Sequence, residues 1–256
     1  MVIPARYASS RFPGKPLVMI AGRPMIQHTY ERACQARLVD TVIVATDDAR
    51  IAAAVEAFGG QVVMTSAAHP SGTDRVAEVV AQGAHEIIVN VQGDEPCIAP
   101  QAIDAMIQPL RDDPAVSMTT LAHALRNIDE LLSPNVVKVV VNRCGDALYF
   151  SRASMPYDRS AWPQAPQLLA ATGQALRPPP GCYRHLGLYA YRREVLLHLA
   201  QLPQTVLEQV EQLEQLRALE HGYRVRVVLT TYESVGVDTP ADVAHAERVL
   251  GMTRPA

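Results

Sequence analysis

The segment Ile3-Pro4-Ala5-Arg6-Tyr7-Ala8-Ser9-Ser10-Arg11-Phe12-Pro13-Gly14-Lys15-Pro16 gathers two arginines, a lysine, two serines and a glycine in one short loop. Guanidinium forks, one ammonium and free backbone N–H groups suit a polyanion, and the first expectation is a nucleoside triphosphate. The spacing matches neither G-x-x-x-x-G-K-[ST] nor G-x-G-x-x-G, so this is not a Walker loop or a dinucleotide fingerprint. Two acidic segments complement it: Gln92-Gly93-Asp94-Glu95-Pro96, after an apolar run, and Gly236-Val237-Asp238-Thr239-Pro240. Mg²⁺ takes few protein carboxylates and keeps waters and phosphate oxygens as its other ligands, so Asp94 and Asp238 are a plausible pair for it. The plain alternatives are a turn carboxylate beside Gly93 and a cap for the last helix.

Other residues carry weaker signals. Only two of the 23 basic residues, Lys15 and Lys138, are lysines; the other 21 are arginine. A chain that uses arginine so widely leaves lysine where a compact ammonium is needed. Lys138 interrupts the run Val136–Val141, where a buried ammonium needs an anion opposite it, unless it lies on an edge strand with its head in solvent. Ser71-Gly72-Thr73-Asp74-Arg75 reads as a helix N-cap on spacing, with base or ribose recognition as the functional alternative. His185, beside Arg184 and near Tyr189, reads as core-lining more readily than substrate-facing. Glu214 and Gln215 read as a solvated helix face. No Ser/His/Asp or Cys/His arrangement emerges.

The elements that must position these residues alternate. Thr41–Thr46, Gln61–Thr65 and Glu86–Val91 are strand-length apolar runs. Helical patterns separate them: Pro24 to about Arg37, Ala49–Phe58 with Asp47 as its cap, and Ser71 to about Ala81. Unbroken apolar strands alternating with helices predict a mostly parallel sheet covered on both faces. Ligands of such sheets bind beyond the carboxyl ends of the strands, where the basic loop and both acidic segments fall. A helix Pro100–Arg111 and strands at Ser117–Ala122, Val136–Val141, Leu148–Phe150, His185–Tyr191 and Arg224–Leu229 follow, with a short helix near Ile128–Leu132. Thr205 and Glu208 form a capping box for a helix whose apolar stripe runs from Leu207 through Val210, Leu213 and Leu216 to Leu219. Thr239 and Asp242 open the last helix in the same way. Pro156–Gly181 is rich in proline and reads as a surface loop or lid.

Composition narrows the function. Apolar residues make up 48% of 256, enough for a sizeable core in one large α/β domain. A net charge of −3 argues against a general nucleic-acid or membrane-surface binder. Four scattered cysteines without a C-x-x-C pair predict reduced thiols and a cytoplasmic setting. No apolar run reaches the roughly 20 residues of a membrane-spanning helix.

Taken in order, seven segments carry a resemblance: Pro4–Leu17, His69–Arg75, Asn90–Pro96, Tyr149–Ala153, Arg184–Tyr191, Leu213–Arg217 and Gly236–Pro240. Together they resemble the 3-deoxy-manno-octulosonate cytidylyltransferase family over nearly the whole chain. The resemblance implies an α/β, Rossmann-like nucleotide-diphospho-sugar transferase fold. It also implies one nucleotidyltransferase domain over 1–256, with a smaller substrate and dimerisation lobe at about 117–191. The implied reaction is Mg²⁺-dependent transfer of CMP from CTP to 3-deoxy-manno-octulosonate (Kdo) for lipopolysaccharide, by a cytoplasmic homodimer. Ala5, Arg6, Arg11, Lys15, Ser71, Gly72 and Gln92 would bind CTP. Lys15, Arg6, Asp94 and Asp238 would carry catalysis, the two aspartates holding Mg²⁺. Arg152, His185, Tyr189, Glu214 and Gln215 would line the Kdo pocket. Three features depart from the family pattern: a short apolar stretch before Ile3, a longer proline-rich loop at 160–182, and Gln209 where histidine is expected. Rival readings are a cytidylyltransferase for another acidic sugar, such as an acylneuraminate, and a non-catalytic nucleotide-sensing module. The neuraminate enzymes have a more glycine-rich phosphate loop than Tyr7-Ala8-Ser9-Ser10, and a sensor has no need to retain Lys15, Asp94 and Asp238.

Overall fold

The apolar runs become strands, and the helical patterns between them become the crossovers that parallel pairing requires. The computed structural model describes residues 1–8, 12–160, 178 and 180–252. The chain divides into two units. The first comprises Met1–Pro114, Leu188–Gln201 and Tyr232–Ala256, the second Ala115–Gly187 and Leu202–Thr231.

The first unit begins with β1 (Val2–Ala5), a short hairpin of β2 (Met19–Ile20) and β3 (Arg23–Pro24), and α1 (Met25–Ala33). It continues as β4 (Ile43–Thr46), α2 (Ala49–Ala57), β5 (Val62–Met64), α3 (Gly72–Val80), β6 (Ile87–Asn90) and α4 (Pro100–Asp112). β1 pairs in parallel with β4 from Val2↔Ile43 to Ala5↔Thr46, and with β6 at Val2↔Asn90. β4 pairs in parallel with β5. Ile3, Val44, Ala45, Ile51, Val76 and Ile103 are fully buried, as a sheet covered on both faces demands. The sequence places the cap of α2 on Asp47; the structure places it on Asp48, whose carboxylate accepts from Arg50 N at 2.9 Å. Asp47 instead faces the buried guanidinium of Arg75 at 3.1 Å. α1 also stops at Ala33 rather than near Arg37.

The second unit holds β7 (Met118–Ala124), α5 (Ile128–Leu132), β8 (Lys138–Val141), β9 (Ala147–Ser151) and the first half of β10 (Tyr183–Arg192). The second half of β10 runs antiparallel to β6 in the first unit, Tyr189 opposite Asn90. α6 (Arg193–Gln201) follows it directly, a helix that sequence reasoning missed because no cap or turn residue separates it from the strand. The helix expected from Thr205 through Leu219 is two: α7 (Val206–Glu211) and α8 (Gln215–Glu220). Gln212 breaks it, with a left-handed φ of 52°. Leu207 and Val210 are therefore exposed, whereas Leu213 and Leu216 are buried. β11 (Val225–Leu229) pairs in parallel with β7, and α9 (Pro240–Met252) closes the chain in the first unit.

Candidate active site

The basic loop leaves β1 at its carboxyl end, as the strand order requires. Gly14, at φ 71°, bends it back so that Gly14 N donates to Tyr7 O at 2.9 Å. A side chain at Gly14 would be strained in that left-handed conformation and would crowd the Tyr7 ring at 3.1 Å. The return places Lys15 at the start of a 3₁₀ turn. Its ammonium lies 2.5 Å from Asp94 Oδ2 and 3.1 Å from Asp238 Oδ1. Burial works to lower the Lys15 pKa, but the charge of Asp94 and hydrogen bonds to both carboxylates outweigh it and raise it. Lys15 is therefore a fixed positive charge at neutral pH.

Asp94 follows β6 and Asp238 precedes α9. Asp242 accepts from Thr239 N at 2.7 Å and Asp238 N at 3.1 Å, so the cap of α9 rests on Asp242 and leaves the Asp238 carboxylate for Lys15. Burial at Gly93 explains the glycine before Asp94: a Cβ there would stand 3.2 Å from Pro4 O and 3.3 Å from Ile26 Cδ1. Strand β1 at Pro4 and the loop at Gly93 thus approach closely enough that a side chain at Gly93 would be tightly packed.

A cavity of about 350 Å³ opens here, lined by Pro4, Ala5, Arg6, Lys15, Gly72, Gln92, Asp94 and Asp238, among others. One guanidinium nitrogen of Arg6 donates to Pro70 O at 3.4 Å, while the other, Nη2, is buried without a hydrogen-bond partner among the described residues. Buried donors are nearly always satisfied, so this one marks where an acceptor belongs. Ser71 caps α3 in a box with Asp74, its hydroxyl receiving Asp74 N at 3.2 Å, as its spacing suggested. Gly72 packs on Pro4, and Gln92 donates to Asn90 at 3.4 Å. Arg50 lies over the Tyr7 ring, 3.3 Å from its centroid, a cation–π contact that nothing in the sequence announced. Arg11 falls outside the described residues. A larger cavity of about 490 Å³ lies at the opposite, amino-terminal end of the strands, among Arg37, Asp40, His85, Glu86 and Arg111, away from both aspartates.

Two carboxylates converging on one ammonium form a site that already holds a cation. Hard oxygen donors, two in number and partly exposed, fit Mg²⁺, which keeps most of its shell for water and phosphate. Among the described residues no cluster of three or more His, Cys, Asp or Glu offers a fuller cage.

The residues expected around a sugar lie mostly in the second unit. The Arg152 guanidinium donates to the carbonyls of Glu211 at 2.8 Å and Pro134 at 3.1 Å. Its backbone N–H donates to the Glu211 carboxylate at 2.9 Å. His185 is buried, with Nε2 2.9 Å from Thr120 Oγ1 and its ring edge-on to Phe150. Burial pushes its pKa down to about 3, so it is neutral. Glu214 heads α8, and Gln215 is buried with a side-chain nitrogen that has no hydrogen-bond partner among the described residues. Tyr189 belongs to the first unit, its ring 5.9 Å from that of Tyr191. Lys138 is buried, and among the described residues its ammonium is hydrogen-bonded to carbonyls rather than to a carboxylate. Its ammonium donates to the carbonyls of Ser133, Val136 and Arg152 at 2.8, 2.6 and 2.5 Å. The proline-rich loop lies largely outside the described residues.

Comparison with known proteins identifies the family. The sequence profile of the family described as cytidylyltransferase matches residues 1–227. The 3-deoxy-manno-octulosonate cytidylyltransferase of Geobacter sulfurreducens is 56% identical over 249 residues, covering 97% of this chain and 96% of that one. The enzyme of the same name from Geobacter metallireducens is 56% identical over 242 residues, covering 94% and 93%. Among solved structures, a CMP:2-keto-3-deoxy-manno-octonic acid synthetase complexed with CTP superposes with a TM-score of 0.88 at 46% identity, covering 99% of this chain and 98% of that one. A 4-diphosphocytidyl-2C-methyl-D-erythritol synthase from Anaerococcus prevotii shares the fold alone, at TM-score 0.61 and 14% identity. The chain belongs to the 3-deoxy-manno-octulosonate cytidylyltransferase family.

Proposed function

We propose that this chain transfers CMP from CTP to Kdo, releasing pyrophosphate and supplying the activated sugar for lipopolysaccharide. The observation that carries the reading is the convergence of Lys15, Asp94 and Asp238 beside Arg6, in a chain 56% identical to enzymes of that name.

The anomeric 2-hydroxyl of Kdo attacks the α-phosphorus of CTP in line. The new O–P bond forms as the bridge to the β-phosphorus breaks, pyrophosphate leaves, and the hydroxyl proton passes to water. Catalysis is mainly positioning and charge neutralisation. Arg6, Lys15 and Arg11 hold the triphosphate, and Lys15 offsets charge that builds on its oxygens. Ala5, Ser71, Gly72 and Gln92 surround the cytidine. Asp94 and Asp238 would hold Mg²⁺, which when bound would supply Lewis-acid charge to the phosphate transfer. Arg152, His185, Tyr189, Glu214 and Gln215 serve the sugar. Gln215, whose side-chain nitrogen has no partner among the described residues, supports direct contact. His185, neutral and bonded to Thr120, supports a shaping role for the pocket wall.

The enzyme acts as a homodimer through the second unit. Val206 and Val210 stand 72% and 76% exposed on α7, and Leu148 and Leu229 are exposed on β9 and β11. Val206 and Val210, four residues apart, share one exposed face of α7, and that face supports a partner contact. Four free cysteines support a reducing, cytoplasmic setting. Among the described residues no helix is long and apolar enough to cross a membrane.

Pyrophosphate release from CTP, measured with Kdo and with N-acetylneuraminate, each with and without chelator, tests the reading. The expected result is rapid release with Kdo alone, abolished by chelator. Preference for neuraminate would replace the sugar assignment. Full activity in chelator would remove the metal, and no release with either acid would leave a binding module.

A further inference from the structure

The loops that carry Asp94 and Asp238 come from distant parts of the sequence, and a third carboxylate ties them together. Glu95 follows Asp94 directly. One of its oxygens accepts from Tyr232 Oη at 3.0 Å, and the other accepts the Ser234 hydroxyl. Tyr232 and Ser234 open the segment that ends on Asp238. The backbone adds a further tie, from Val237 N to Asp94 O at 3.0 Å. A Cβ at Gly236 would stand 3.6 Å from Glu95 Oε1 and 4.0 Å from Asp94 O, so the two loops lie in packing contact. Burial, with the Glu95 charge second, holds the Tyr232 phenol well above its ordinary pKa, which keeps it a donor.

We propose that Glu95 is a positioning residue: through Tyr232 and Ser234 it sets the approach of Asp94 to Asp238, and so the strength with which the pair holds a divalent cation. The proposal rests on the reading of Asp94 and Asp238 as metal ligands. Glu95 is not a third ligand, since no cluster of three such side chains forms among the described residues. It acts as outer-sphere partners of metal sites do, by orienting the groups that bind. Glutamine keeps its shape and an acceptor for one hydroxyl; alanine removes both bonds.

The experiment is calorimetric and uses the whole protein with CTP and no sugar, so nothing turns over. CTP affinity is measured with Mg²⁺ and with chelator, and the ratio isolates the metal-dependent part. Glu95→Ala is expected to reduce that ratio about 10- to 100-fold while metal-free CTP affinity holds within about threefold, and Glu95→Gln is expected to keep most of the ratio. Thermal melting of each variant accompanies the titration. Should Glu95→Ala fail to fold, the double variant Tyr232→Phe with Ser234→Ala removes the same two bonds and is expected to lower the ratio in the same sense. An unchanged ratio with a lowered melting temperature overturns the proposal and leaves Glu95 a purely structural tie. Asp94→Asn separates the two levels: an unchanged ratio there overturns the metal reading itself, whereas loss with Asp94→Asn but not with Glu95→Ala overturns the positioning role alone.

Discussion

Two lysines in this chain have opposite surroundings. Lys15 lies in a cavity mouth between two carboxylates, and its pKa is raised. Lys138 is fully buried within a strand paired on both sides, with three backbone carbonyls around it. Burial pushes its pKa down, only partly opposed by the Glu211 charge. One ammonium is held by charges that a ligand can displace or extend. The other is held by dipoles that belong to the fold. A compact ammonium suits both places: at Lys15 one nitrogen bridges two carboxylates, and at Lys138 one nitrogen donates to three carbonyls.

The contrast predicts different losses for the same substitution. Lys15→Met should lower kcat/KM for CTP at least about 100-fold while the melting temperature changes little, because the missing charge acts on the phosphates rather than on the core. A near-normal rate of pyrophosphate release in that variant would end the comparison. Lys138→Met should do the reverse. Removing the shared donor of three part-buried carbonyls, of which Ser133 O keeps the Val136 N–H, should cost about 1–3 kcal/mol in chemical denaturation, with the surviving folded enzyme close to normal in kcat. A stable but inactive Lys138→Met would move that lysine into the catalytic machinery.

His185 shows its effect only below neutral pH, because burial disfavours its charged form. Its folded pKa of about 3 lies below the ordinary 6.5, so the unfolded chain takes up the proton first. Stability owed to this group is therefore full above pH 7 and falls as pH drops from 6.5 toward 3, by at most about 1.4 kcal/mol per pH unit. Urea titrations across that range should show a shallower decline in His185→Gln than in the parent. Parallel slopes would show that His185 accepts its proton without loss of the fold.

Much of the first unit was legible before any coordinates. Val42–Ala45 and Ile87–Val89 are unbroken apolar cores of strand-length runs, and they became the buried strands β4 and β6. The basic loop announced itself by residue type, and the positions of Asp94 and Asp238 after apolar strands or before a capped helix placed them at one edge of the sheet. The second unit was less legible. A continuous apolar stripe from Leu207 to Leu219 concealed the break at Gln212, because helical periodicity survives a single left-handed residue. The cap of α2 was one residue off because Asp47 and Asp48 are alike in sequence, and only the buried Arg75 draws Asp47 away.

The sequence by itself determined the alternating α/β order, the basic character of the first loop and, through seven motifs in order, the family. Each of these is written in local residue type and spacing. Tertiary structure decided which charges meet. Lys15 finds Asp94 and Asp238 across 79 and 223 residues, and Glu95 finds Tyr232 and Ser234 across 137 and 139. Lys138 finds carbonyls where the sequence suggested an anion. Such contacts leave no period in the chain, because they depend on how strand ends and loops converge in space after the local elements have formed.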